Sequence, residues 1–232
     1  MNAETVMQEL EALGKDRTKK YYVSNGAQEP LFGVATGAMK PIVKKIKINQ
    51  ALADELYATG NYDAMYFAGV IADPNGMTAA DYDRWMETAY FWMISDFVVA
   101  VTLAEANIAQ EVSDTWIASG DELKMSAGWS CYCWLLGSRP DREFSESKLA
   151  GLLEQVKQTI HTAPERTKYS MNNFIFTVAT SFSPLHELAV ETAKAVGPVE
   201  VQGGKKHINA MVNIQKAIDK GQLGFKRKHV RC

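Results

Sequence analysis

In the stretch Ala89–Val99, which reads A-Y-F-W-M-I-S-D-F-V-V, Trp92 and Asp96 stand four residues apart and share a face if the segment is helical. A carboxylate beside an indole can stabilise a cation or position a water in a partly desolvated cleft. A plainer reading stands next to it: Trp92 packs a core, and Asp96, after Ser95, caps a helix running from Phe97 to Ala106. Other chemistries lack their motifs. There is no GxxxxGK followed by Ser or Thr, no GxGxxG after a strand, no HExxH and no GxSxG, which argues against a nucleotide-dependent enzyme or a serine hydrolase. No metal or other cofactor is expected. Cys131-x-Cys133 lacks the second ligand pair of a structural zinc site, and the four histidines are scattered. Both cysteines read as small core residues, and with Cys232 they suit a reducing compartment.

Binding chemistry has candidates too. Trp85, Trp92, Trp116, Trp129 and Trp134 all lie in the middle of the chain. Most must be core, but Trp129 after Gly128, and Phe174 or Phe176 on a helix over residues 171–182, can present an aromatic face to a sugar or base. Lys40, Lys44 and Lys45 near one end, and Arg166, Lys168, Lys205 and Lys206 near the other, can hold phosphates. The net charge of −2 favours no nucleic-acid partner, yet its distribution is uneven. Residues 1–47 carry eight Lys/Arg against five Asp/Glu, residues 48–165 six against eighteen, and residues 166–232 eleven against four. Basic ends flank an acidic middle, as when the two ends of an array face one partner, or when solvated charge has merely fallen unevenly.

The elements that must position these residues are helical. Val6, Leu10 and Leu13 follow Asn2 and Thr5, either of which can cap a first helix that Gly14 ends. After a Gly- and Pro-containing loop, Met39, Ile42, Val43 and Ile46 form a second apolar stripe. Further helices read at about 49–58, 62–72, 78–93, 96–107, 109–118, 122–137, 145–162, 167–182, 184–196 and 207–220, separated by Gly, Pro, Asn and Asp breakers. Strand-like alternation occurs only over Pro198–Gln202. Short connections imply antiparallel neighbours, and the pairs recur every ~30–40 residues, near the HEAT and armadillo range. The expected fold is all-α: an α-α superhelix of HEAT-like antiparallel helix pairs, a short solenoid with a concave groove. One domain over 1–224 and a flexible basic tail over 225–232 are expected. Apolar residues at 47% and charged residues at 22% exclude wholesale disorder. No apolar run approaches the ~20 residues of a membrane span. The N-terminus lacks the order of a signal peptide, so no membrane partner and a cytoplasmic location are expected.

Three stretches resemble the AlkD-type bacterial DNA alkylation repair family, alkylpurine DNA glycosylases built on HEAT-like repeats. The most specific is Leu31-Phe32-Gly33-Val34-x-x-Gly37-x-Met39-Lys40-x-x-x-Lys44-Lys45. Trp92-x-x-x-Asp96 matches the family's active-site tryptophan and aspartate, and the helix rhythm to about residue 196 also fits. The resemblance implies that Asp96 stabilises the deoxyribose cation as an N3- or N7-alkylated purine leaves and positions the attacking water. It gives Trp92 a sugar contact and places Phe176 near a second cleft tryptophan. Such a lesion is already cationic, so a nearby negative charge is the main requirement. Two departures stand out. The family's cleft arginine falls around Ala127-Gly128-Trp129, and an early helical glutamate falls near Asp63-Ala64. The expected function is therefore a DNA alkylation repair protein: either a metal-free glycosylase that releases N3- or N7-alkylated purines, its excision slowed by the missing arginine, or a relative that has lost excision and keeps binding to damaged or branched DNA. A non-catalytic helical scaffold for a protein or peptide partner is the alternative.

Overall fold

A computed structural model describes residues 1–231; Cys232 lies outside the described residues. The chain forms two compact units, one of residues 1–109 joined by Val230 and Arg231, the other of residues 110–229.

The regular elements of the first unit are all helices. α1 (Ala3–Leu13) starts where the Asn2 side chain accepts the Thr5 N–H, as a capping residue should. α2 (Asp16–Ser24) follows, then a 3-10 turn (Thr36–Met39) leading into α3 (Lys40–Ile46). α4 (Gln50–Tyr57) and α5 (Tyr62–Ile71) pack as an antiparallel pair, with Asn49 and Asn61 as caps. α6 (Ala79–Thr88) opens on a reciprocal capping box between Thr78 and Asp81.

α7 is the element that the sequence pattern divides wrongly. It runs without a break over residues 92–103, as Trp92–Ile94, a π-helical turn Ser95–Val99 and Ala100–Leu103. The expected helix over 78–93 ends at Thr88 instead, and no Gly or Pro marks the break. Side-chain packing makes it: Phe91 is extended (φ −157°, ψ 165°), its ring stacked with Tyr90 and edge-on to Tyr62. Asp96 thus lies inside α7, not at its N-cap.

The second unit holds α8 (Ala109–Ile117, whose first residue belongs to the first unit), α9 (Glu122–Leu136), α10 (Glu146–Thr159), α11 (Glu165–Ser181), α12 (His186–Val196) and α13 (Ala210–Asp219). α9 and α11 run side by side in the same direction. Their N-termini meet where Arg166 N–H donates to Glu122 (2.6 Å), and Trp129 and Tyr132 flank Phe174 midway. Between α12 and α13, β1 (Val199–Val201) pairs antiparallel with β2 (Lys206–Ile208), Val201 opposite Lys206. The expected helix over 207–220 starts later, at Ala210, because Lys206–Ile208 completes this hairpin and Asn209 caps the helix.

The basic C-terminal segment, expected to be flexible, is held at Gly224, Lys226, Arg227 and Arg231. Gly224 N–H donates to Thr180 O (2.7 Å) and Arg227 N–H to Gly137 O (2.7 Å). Lys226 Nζ donates to Leu136 O and pairs with Asp141, each at 2.7 Å. In the first unit, the Arg231 guanidinium pairs with Glu105 (2.8 Å) and donates to the Gly69, Val70 and Ala72 carbonyls that end α5. A cation on the orphan carbonyls of a helix C-terminus satisfies them and complements the helix dipole.

Candidate functional site

In the first unit, α7 carries Trp92 and Asp96 as neighbours on one helix. Trp92 is half-buried. Its indole N–H donates to Asn25 O at the end of α2 (3.0 Å), and its ring stands edge-on to Phe97 at 5.5 Å. Phe97 is 41% exposed, so this pair offers an aromatic surface to solvent. Asp96 is different: it is 1% exposed and accepts the Ser95 hydroxyl at 2.9 Å. Its carboxylate is turned into the protein.

The π turn causes this placement. Ala100 N–H reaches back five residues to Ser95 O, which widens the helix by one residue under Asp96. Such turns recur at functional sites and need bracing by their neighbours. Gly69 of α5 supplies it. A Cβ there would meet Val98 Cγ1 at 2.7 Å, so only glycine lets α5 approach, and the Thr102 hydroxyl bridges to Gly69 O (3.1 Å) and Val98 O (2.8 Å).

The Leu31–Val34 signature has a structural cause in the same unit. Asp63, wholly buried in the first turn of α5, accepts three backbone N–H groups: Phe32 (2.6 Å), Gly33 (2.9 Å) and Val34 (2.7 Å). Gly33 has φ +81°, a conformation that L side chains rarely adopt. This turn leads into α3, where Lys40, Lys44 and Lys45 are exposed, Lys45 lying 3.6 Å from Glu9.

The second unit gathers the other cations. The Tyr169 ring lies between Arg166 (5.5 Å from guanidinium to centroid) and Lys206 (5.9 Å). Lys168 Nζ donates to Glu200 O (3.1 Å), and Glu165 accepts Gln202 N–H (2.6 Å), so α11 grips the hairpin at both its strand and its turn. Lys205 and Lys206 are exposed at the turn. Arg166, Lys168, Lys205 and Lys206 therefore form one cluster, as their sequence positions alone did not show. Phe176 is half-buried on α11.

Trp129 does not fit its expected role. It is fully buried, ring against Phe174 at 5.0 Å, and cannot face a nucleotide. The Ala127-Gly128-Trp129 stretch is core, with Gly128 where α9 crosses α8: a Cβ there would lie 2.8 Å from Ser113 O. No arginine fits at this position, so it does not mark an emptied phosphate clamp. Cys131 is also core, and burial pushes its thiol up to about 12. Among the described residues no three His, Cys, Asp or Glu side chains cluster as metal ligands, and no helix is long and apolar enough to cross a membrane. Two contributors went unnoticed in the sequence, Phe97 and Tyr169. The spacing of Arg166 and Tyr169, three apart on a helix, was a legible signal for the second.

Comparison with known proteins identifies the family and the fold. A family model described as DNA alkylation repair enzyme matches residues 6–214. The uncharacterised proteins Lin0241 of Listeria innocua and Lmo0209 of Listeria monocytogenes are each 32% identical over 217 residues, covering 90% of this chain and 94% of the relative. A solved structure, described as a new family of proteins related to the HEAT-like repeat DNA glycosylases with affinity for branched DNA structures, is 70% identical, with a TM-score of 0.97 and full coverage of both chains. The helices have the HEAT-like repeat fold that their rhythm implied. The chain belongs to the DNA alkylation repair enzyme family.

Proposed function

We propose that this protein binds branched DNA through its backbone phosphates and releases alkylated purines slowly or not at all. The observation that carries the reading is the cluster of Arg166, Lys168, Lys205 and Lys206 around Tyr169. Exposed cations on a short, firmly seated hairpin suit phosphate contacts, which give affinity without base readout. The 70% identical relative, described as having affinity for branched DNA, supports the choice of substrate. The burial of Asp96 supports slow excision: an aspartate that stabilises a sugar cation must present an oxygen to it, and this residue is 1% exposed.

Two measurements test the reading. Binding to undamaged duplex, alkylated duplex and a four-way junction is titrated with salt. Neutralising about five phosphates gives a log–log slope of roughly −4 to −5. A slope near zero, or no binding at low salt, refutes the DNA reading and favours a scaffold for protein partners. Single-turnover release of 7-methylguanine is then compared for wild type and Asp96→Asn. Asn keeps an oxygen to accept the Ser95 hydroxyl, so the fold survives. Fast release by wild type, cut ~10²-fold or more by the substitution, would show an active glycosylase and overturn the second half of the proposal.

A further inference from the structure

The C-terminal basic segment ends in an arrangement that the hairpin does not explain. Arg227 lies over the Trp134 ring, 4.9 Å from guanidinium carbon to centroid. A guanidinium held over an aromatic ring is shielded on one side and keeps N–H donors with which arginine can take a phosphate. Lys228 is exposed beside it, as is Arg142 on the loop carrying Asp141, the partner of Lys226. Arg139, Arg142, Lys226, Arg227 and Lys228 set five cations against Asp141 and Glu143. Phe225, 67% exposed, leads the run. It is the most exposed large hydrophobic side chain among the described residues.

The chain has ordered this segment at a cost of about 1–2 kcal/mol of backbone entropy per residue, using the four contacts of Gly224, Lys226 and Arg227 that tie it to the rest of the unit. An exposed aromatic directly before three cations in the sequence is a poor use of that order in water. It is a good one against nucleic acid, where phosphates take the charges and the ring takes an unstacked base.

The placement sets the two cationic groups apart. α11 spans 17 residues, about 25 Å. The hairpin cluster sits at its N-terminal end, and the tail is tied by Gly224 to Thr180 at its C-terminal end. The unit therefore carries two cationic groups towards opposite ends of α11, roughly 20 Å apart along its axis, one with an exposed phenyl ring.

Resting on the branched-DNA reading, we infer that Phe225–Lys228 is a second DNA site, taking a second arm at the branch point, with Phe225 stacked on the base pair or base exposed where the helices separate. The hairpin holds the first arm. A continuous duplex fills only the hairpin site.

The test uses the full-length protein, a four-way junction with hairpin-closed arms, and a closed duplex of equal length. Phe225→Ala is expected to weaken junction binding about 5- to 10-fold and duplex binding less than 2-fold. Arg227→Gln with Lys228→Gln should weaken the junction about 10-fold and make only its salt slope shallower, by about two. Lys205→Ala with Lys206→Ala should weaken both substrates alike. Phe225 is exposed, so its variant tests the idea even if the Arg227 change disturbs the Trp134 contact, which a melting curve reports. Equal losses on junction and duplex would make the tail part of a single-duplex footprint and overturn the inference. Unchanged junction binding in both tail variants also overturns it. Wild type that binds neither DNA defeats the broader proposal instead.

Discussion

Replacing Asp63 should cost more stability than replacing any other acid of the first unit, because one buried carboxylate holds three of the four N–H groups of the Leu31–Val34 turn. It accepts the N–H groups of Phe32, Gly33 and Val34 at 2.6, 2.9 and 2.7 Å and has no exposure to water. Hydrogen bonds to a charged group are worth about 1.5–3 kcal/mol each, and a buried donor left unpaired costs about 1–3 kcal/mol. In Asp63→Asn one amide oxygen can still accept, but the NH2 group must face at least one of the N–H donors. The expected loss is about 2–4 kcal/mol, a fall in Tm of roughly 5–12 °C for a chain of this size. Asp63→Ala strands all three donors and should cost more than Asn. Urea and thermal melts of the two variants read these values directly. Amide exchange should speed up first at Phe32, Gly33 and Val34. If Asp63→Asn melts within 1 °C of wild type, the carboxylate does not hold the turn, and the Leu31–Val34 signature has some other cause.

Two further outcomes are expected. Gly128→Arg should destabilise by about 3 kcal/mol or more through overpacking, since its Cβ would press on Ser113 O at 2.8 Å and Ile117 Cγ1 at 2.9 Å; a stable variant with faster 7-methylguanine release would contradict the buried placement of α9. Burial, helped by nearby Asp63, pushes the Tyr22 hydroxyl from 10.0 up to about 12. Its neutral form is thus favoured on folding, and the stability it contributes is intact below pH 10 and lost as pH rises to about 12. Tyr22→Phe, which gives up the 2.8 Å bond to Val34 O, should flatten stability over that window at a cost of about 1 kcal/mol at neutral pH.

What the sequence revealed, and what it concealed, follows from how far each feature depends on distant contacts. Helix starts were legible because Asn2, Asn61 and Asp121 act on backbone groups within three residues of themselves. The break before α7 was not, because it depends on Phe91 meeting Tyr62, 29 positions away. The π turn left no mark in the periodicity either, since residues 94–103 are buried at every position but Phe97, and the ~100° rotation that one added residue brings moves no apolar stripe. Trp129 was misplaced for a different reason. α9 reads E-L-K-M-S-A-G-W-S-C-Y-C-W-L-L, apolar on nearly every side, so no stripe says which ring faces out. The departure at Asp63 shows the opposite lesson: a residue that breaks a family pattern can still be the one that holds the motif together.

If the protein binds branched DNA as proposed, net charge decides how it selects that DNA. At −2 overall, with a strongly acidic middle, the chain has no broad positive field to gather duplex unspecifically. Its phosphate contacts must come from small groups, and a single group of three or four cations binds weakly at physiological salt. Two weak groups on one rigid helix pair behave differently. Once the first holds an arm, the second meets its target at a high effective concentration, and affinity rises without any new kind of contact. A straight duplex gains from this only if its phosphates reach both groups; a branch, whose arms diverge, reaches them by its shape. Selection by geometry asks nothing of Asp96. Its carboxylate can therefore stay folded into the π turn, where it accepts the Ser95 hydroxyl and leaves the aromatic surface of Trp92 and Phe97 to face outward.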